Sequence, residues 1–263
     1  MYQTKMKKQL AKVEAIMMAL LVSLHAAAGK IDRKAVVERN NPHVTAVDKL
    51  ASLSVGNGGF AFTVDATGLQ SFPETYSPGV PLGTMSQWGW HWQKNPKQLR
   101  EEESWKEYDF GRGHKEIYAT QSSGDKRAQE AVDWYRVNPH RLHLGTIGLA
   151  LGTDPKAVSS INQTLDMWRG EIKSSFSYKG KQYDVATVCD PNRDMVATRV
   201  KSDGKIAIDL RYPYPTVGHC DDACDWTKDK LHSTTIEKQQ AGYALIKRVV
   251  DESIYYVTLH WQG

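Results

Sequence analysis

An all-β fold of antiparallel strands, with few short helices, is predicted by three features of this sequence. Apolar and polar residues alternate with period two over several short runs, most clearly over residues 171–188. Turn residues recur every 8–12 positions between those runs, the spacing of a sandwich or barrel. Only residues 126–136 read as a convincing helix, with a helical turn expected over 155–160. Taken in order, residues 52–64 read as two strands around Gly56-Asn57-Gly58-Gly59, where Asn-Gly and Gly-Gly supply the positive φ of a tight hairpin. Thr67-Gly68 marks a turn, and 69–72 a further short strand. In the 171–188 pair, Ile172, Ser174, Phe176 and Tyr178 share one face. Gly180 turns the chain, and Tyr183, Val185 and Thr187 line the return strand. Strands follow over 195–201 and 205–212. A last pair covers 244–250 and 253–261, around Asp251-Glu252.

Composition narrows the function. The 263 residues are 40% hydrophobic and 24% charged, which excludes disorder and collagen-like repeats. No internal repeat or linker marks a second domain. The formal net charge is +4, but Lys5, Lys7, Lys8 and Lys12 against Glu14 supply +3 of it within residues 1–28. The near-neutral remainder has no electrostatic footprint for a phosphate backbone, so nucleic acid is set aside as a partner. Those lysines precede the apolar run 15–24 and then Ala26-Ala27-Ala28, the layout of a secretory signal peptide. The alternative is an amphipathic helix that stays on the protein. The run is too short for a membrane anchor. The expectation is a leader over 1–28 and a β-sandwich domain over 29–263, exported to a periplasm or the outside.

Cofactor and metal motifs are lacking. The Gly-rich turn at 56–59 is followed neither by Lys-Ser/Thr nor by a helical pattern, so it is no P-loop. Cys189, Cys220 and Cys224 are odd in number. Cys220 and Cys224, with His219 and His232 nearby, could be written as a zinc site. The spacing lacks a second Cys pair, and a plain loop or a local disulfide fits it better. No cofactor and no metal are expected.

Several stretches together resemble one family: Asn41-Pro42-His43, LSVGNGGFAF at 53–62, TGLQSFPE at 67–74, SQWGWHW at 86–92, NPHRLHL at 138–144, QTLDMWRG at 163–170, DMVATRV at 194–200 and YPYPT at 212–216. The set is similar to the N-terminal region of large bacterial six-hairpin glycosidase-like proteins. Their clan, which includes glucoamylases, maltose phosphorylases and certain α-L-fucosidases, joins a β-sandwich to an (α/α) barrel of six helical hairpins. The resemblance implies a galactose-mutarotase-like super-sandwich and an oligo- or polysaccharide substrate. It also implies a catalytic barrel as partner, which residues 1–263 do not supply. The clan's general acid sits on that barrel, so no catalytic residue is carried over. The strand at 254–261 runs almost to the last residue, so the sequence is expected to be a fragment; a terminal strand tied into a sheet is the alternative.

Residues 82–125 are polar, rich in Trp and poorly periodic, and long irregular segments tend to carry function. Within them Trp88-Gly89-Trp90-His91-Trp92 suits a sugar. An indole offers a broad apolar face for the C–H surface and a polar N–H at its edge. Trp88, Trp90 and Trp92 are expected to line the substrate cleft, with His91 and Gln87 donating to hydroxyls. The competing reading is an inward-facing stripe that packs the sandwich. His140 and Arg141, in Asn138-Pro139-His140-Arg141-Leu142-His143, are the second candidates, for hydroxyls or a carboxylate. Pro139 makes Asn138 extended, so this reads as a turn into a strand with Arg141 and His143 on one face. A half-exposed strand without function shows the same pattern. Among the acids, Glu74, Glu101 to Glu103, Asp166, Asp221 and Asp222 form no marked pair, and Glu101 to Glu103, Asp221 and Asp222 read as solvated. Asp166 and Trp168 read as a turn and a packed ring. A stand-alone carbohydrate-binding module and a purely structural domain are the rival functions.

Overall fold

A computed structural model describes residues 31–216 and 224–263. The chain divides after Asn40 into two units. Residues 1–28, expected as a leader, and His219, Cys220, Asp221 and Asp222 lie outside the described residues. In the first unit, helix α1 (Arg33–Glu38) starts at Asp32, whose carboxylate accepts from the Ala35 amide at 3.1 Å as an N-cap.

The second unit is all-β, and every strand pair in it is antiparallel. Strand β1 (His43–Val44) precedes the hairpin of β2 (Leu53–Gly56) and β3 (Phe60–Val64). The Asn57 side chain accepts from the Gly59 and Phe60 amides at 3.0 and 2.8 Å and closes its turn, and Gly58 takes φ +90°. Helix α2 (Pro73–Tyr76), β4 (Thr84–Ser86) and β5 (Trp90–His91) follow. A 3₁₀ turn (Glu101–Ser104) leads into the hairpin of β6 (Trp105–Asp109) and β7 (Lys115–Ala119). Helix α3 (Lys126–Val137) is capped by Asp125, and β8 (His140–Arg141) and β9 (Thr146–Leu149) come next. Four long strands come next: β10 (Val158–Asp166), β11 (Glu171–Tyr178), β12 (Lys181–Cys189) and β13 (Val196–Ser202). The last elements are β14 (Ile208–Arg211), β15 (Tyr214–Pro215), β16 (Cys224–Asp225), β17 (His232–Gln240), β18 (Tyr243–Val250) and β19 (Ser253–His260).

The largest sheet runs β1-β10-β11-β12-β13, and three-stranded sheets run β2-β3-β4 and β17-β18-β19. Their inner faces meet in one core. Val55, Phe60, Phe62 and Val64 come from β2 and β3; Ile172, Phe176, Tyr183 and Val185 from β11 and β12; Val250 and Tyr255 from β18 and β19. The predicted faces of the β11–β12 hairpin are those buried, with Phe176 stacked on Tyr183 at 5.1 Å. Each fully buried apolar side chain of this kind contributes roughly 1.5–3 kcal/mol.

Five local expectations change. Residues 69–72 form no strand: they wrap the fully buried Asp65, whose carboxylate accepts from Thr67, Ser71 and Phe72. The helical turn covers only Pro155–Ala157, because Val158 begins β10. Residues 82–125 contain β4, β5 and the β6–β7 hairpin. Every residue of that hairpin is exposed, so no buried face imprints an alternation on its sequence. Strand β17 was unanticipated for the same reason: eight of its nine residues are exposed. Finally, Arg141 and His143 do not share an exposed face, since residues 142–146 are buried beyond the short β8.

Candidate functional site

The two segments singled out in the sequence are neighbours. Strand β5 pairs with β8, placing Trp90 opposite Arg141 and His91 opposite His140, and the Leu142 amide donates to Gly89 O at 2.8 Å. Gln87 and Trp88 form a turn, and side chains alternate along the short strand that follows, so Trp90 and His91 point to opposite sides. Trp88, Trp90 and Trp92 are 51%, 44% and 53% exposed, whereas His91 is fully buried. The rings therefore do not form an inward packing stripe.

Each indole is held differently. Trp88 Nε1 donates to Asp194 Oδ2 at 2.7 Å, and its ring lies 6.2 Å from that of Tyr255. Ser86 Oγ donates to the same oxygen at 2.5 Å. Trp90 lies under the Arg141 guanidinium at 4.0 Å. Trp92 leans on Trp134, centroids 5.8 Å apart. Arg141 spends Nη1 on Ser86 O and Gln87 O, at 3.1 and 2.9 Å, so it braces the turn that carries the rings. Gln87 is exposed, and its amide donates to Gly59 O at 2.7 Å.

Behind the rings lies a polar array. His91 Nε2 donates to Asp251 Oδ2 at 3.0 Å, and the Tyr214 hydroxyl donates to the same oxygen at 2.9 Å. Burial, and the Asp251 carboxylate it faces, push that phenol up to about 12. Among the described residues, His91 Nδ1 has no hydrogen-bond partner. His140 is half-buried, its ring 5.0 Å from His91, and its Nδ1 donates to Val137 O at 3.2 Å. Burial and the neighbouring His91 make it less basic than an ordinary imidazole, against the pull of Val137 O. His91 thus stands behind the Trp surface, aimed at Asp251.

Two clefts flank Trp92. The first, of about 440 Å³, is lined by Trp92, Trp105, Tyr135, Glu101, Arg136 and Asn138 among others. The second, of about 410 Å³, is lined by Trp92, Gln93, Lys94, Asn95, Pro96, Asp251 and Glu252. The wall between them is pinned: Asn138 Oδ1 accepts from the Gln93 amide at 2.9 Å, and its Nδ2 donates to Trp134 O at 3.0 Å. The segment beyond is clamped to α3. Arg127 donates to Glu103, Lys97 O and Gln98 O, and Tyr135 Oη donates to Leu99 O at 3.1 Å. The Arg127 guanidinium holds the Glu103 carboxyl below the usual carboxylate range. Of the acidic run, Glu103 is thus an ion-pair partner, and Glu101 faces the first cleft.

Sequence reasoning did not single out Trp105, Tyr135, Tyr214 or Asp251. In the sequence Asp251 reads only as part of the last hairpin turn, where it takes φ +50°. Asp166 caps the β10–β11 turn by accepting from the Trp168 and Arg169 amides, and Trp168 is 50% exposed rather than packed. Among the described residues, no group of three or more His, Cys, Asp or Glu could hold a metal ion, and no helix is long and apolar enough to cross a membrane. Burial and nearby Asp190 push the Cys189 thiol up, so it is a weak nucleophile. No family model matches the chain, and no curated protein matches it either.

Proposed function

We propose that this chain binds carbohydrate, as the sandwich part of an exported glycoside hydrolase acting on oligo- or polysaccharide. The general acid and base of that reaction would come from a helical barrel outside these residues. The hydrolase part of the reading rests on the resemblance of the motifs above to six-hairpin glycosidases. The carbohydrate part is carried by one observation: Trp92, Trp105 and Tyr135 line a single cleft together with Glu101, Arg136 and Asn138. Flat rings accept the C–H face of a pyranose, and fixed donors and acceptors at the rim pair with its hydroxyls. Trp92 and Trp105 stay about half exposed, which favours a binding role over a purely packing one. The same cleft would serve a stand-alone binding module.

An array of immobilised gluco-, manno-, xylo-, galacto- and fuco-oligosaccharides, probed with the full chain, tests this. Binding to at least one class is expected. Trp105→Ala, on an exposed hairpin, should weaken it about tenfold, or about 1.4 kcal/mol. No binding to any class, or unchanged affinity in that variant, overturns the proposal.

A further inference from the structure

We infer that the ligand is an extended oligosaccharide that crosses Trp92, with the Asp251 carboxylate as its hydroxyl anchor in the second cleft. The inference rests on the carbohydrate reading and adds the ligand's length and polar contact. Trp92 lines both clefts, and the bond from the Gln93 amide to Asn138 fixes the wall that separates them. Each cleft lies within the roughly 300–1,000 Å³ typical of small-molecule sites, so each has room for a ligand unit of its own. A ligand stacked on the half-exposed Trp92 ring can reach both.

The second cleft is organised around a carboxylate that the fold orients. Both internal donors, His91 Nε2 and Tyr214 Oη, reach the same oxygen, Asp251 Oδ2. Oδ1 takes neither of these bonds, and the Asp251 side chain keeps 26% of its exposure. A carboxylate oxygen can accept two hydrogen bonds, so adjacent sugar hydroxyls suit it. His91 is fully buried and cannot follow a moving ligand, so it holds the acceptor still, which lowers the ordering cost of binding. Lys94, exposed on the lining of the same cleft, supplies donors for the ligand's remaining oxygens, whereas the Asn95 side chain is paired with the Leu99 backbone.

The test uses the full chain and whichever saccharide the array identifies, titrated calorimetrically as a length series from monosaccharide to hexasaccharide. Affinity should rise at least tenfold once the ligand is long enough to span both clefts. Asp251→Asn should remove that rise and leave the shorter sugars unchanged, whereas Trp105→Ala should weaken every length. If Asp251→Asn does not fold by near-ultraviolet circular dichroism, Glu252→Gln, an exposed residue of the same cleft, is read instead and should weaken only the longer sugars. A saccharide that binds with no length dependence, or with the long-chain gain intact in the folded variant, overturns the inference and leaves the carbohydrate reading standing. An array with no ligand overturns both.

Discussion

Removing the Arg141 side chain should loosen the Trp surface from below. In the folded protein its guanidinium donates to Ser86 O at 3.1 Å and to Gln87 O at 2.9 Å, and it lies 4.0 Å over the Trp90 ring. Each bond to a backbone carbonyl contributes about 1 kcal/mol net at a partly exposed site, and the cation–π contact about 0.5–1 kcal/mol. Arg141→Ala should therefore cost about 2–3 kcal/mol, which for a unit of this size lowers Tm by about 4–12 °C. Arg141→Lys keeps the charge but loses the planar fork that bonds and stacks together, so it should recover less than half. Urea unfolding, followed by tryptophan fluorescence and by far-ultraviolet circular dichroism, gives the free energies. The native-state emission of Arg141→Ala should also shift to the red as Trp90 becomes hydrated. A cost under about 0.5 kcal/mol for the alanine variant, well short of the sum of these contacts, would mean that the turn at Ser86-Gln87 is held by its backbone alone.

Two further predictions concern the frame. Burial raises the Asp65 carboxyl to about 6, against the four hydrogen bonds that favour its charge. A raised carboxyl contributes stability that is fully present below its unfolded value near 3.8 and is lost as pH rises through about 6; two units correspond to about 3 kcal/mol. The unfolding free energy of the wild type minus that of the non-titrating Asp65→Asn should fall between pH 4 and pH 7, and a flat difference refutes the burial argument. Gly145 takes φ +116°, and a Cβ there would lie 2.5 Å from Tyr212 Cδ1 and 2.9 Å from Arg211 O. Gly145→Ala should cost about 2–6 kcal/mol by denaturant melt, from backbone strain plus overpacking. Gly170→Ala, at φ +66° with open space around it, should cost clearly less, and equal costs would remove the packing part of the argument.

Much of the architecture was legible because periodicity records which face of a strand is buried. Ile172, Phe176, Tyr183 and Val185 alternate with polar residues, and those four sides are the ones in the core. The β2–β3 turn was legible through Asn57 and Gly58, whose side-chain acceptor and positive φ are local chemistry. The same logic explains the misses. Strand β17 and the β6–β7 hairpin bury no regular face, so nothing in their sequences alternates. Residues 69–72 looked like a strand because Leu69 and Phe72 are buried, yet the chain there curls around the Asp65 carboxylate.

For the site, the amino-acid order alone determined that flat aromatic rings cluster at 88–92 and that His140 and Arg141 stand in a turn-bounded extended segment. Tertiary structure decided that these two segments pair, that the rings face outward while His91 is buried, and that Arg141 braces the turn beneath them. It also brought Asp251, 160 positions from His91, onto the same hydrogen-bonded array, and set Trp105 and Tyr135 beside Trp92. The physical reason is range. Turn geometry and strand alternation act over a few residues and leave their mark in the local sequence. A cleft wall is made by side chains that meet only after separate sheets and loops have packed, and no short-range pattern encodes that meeting.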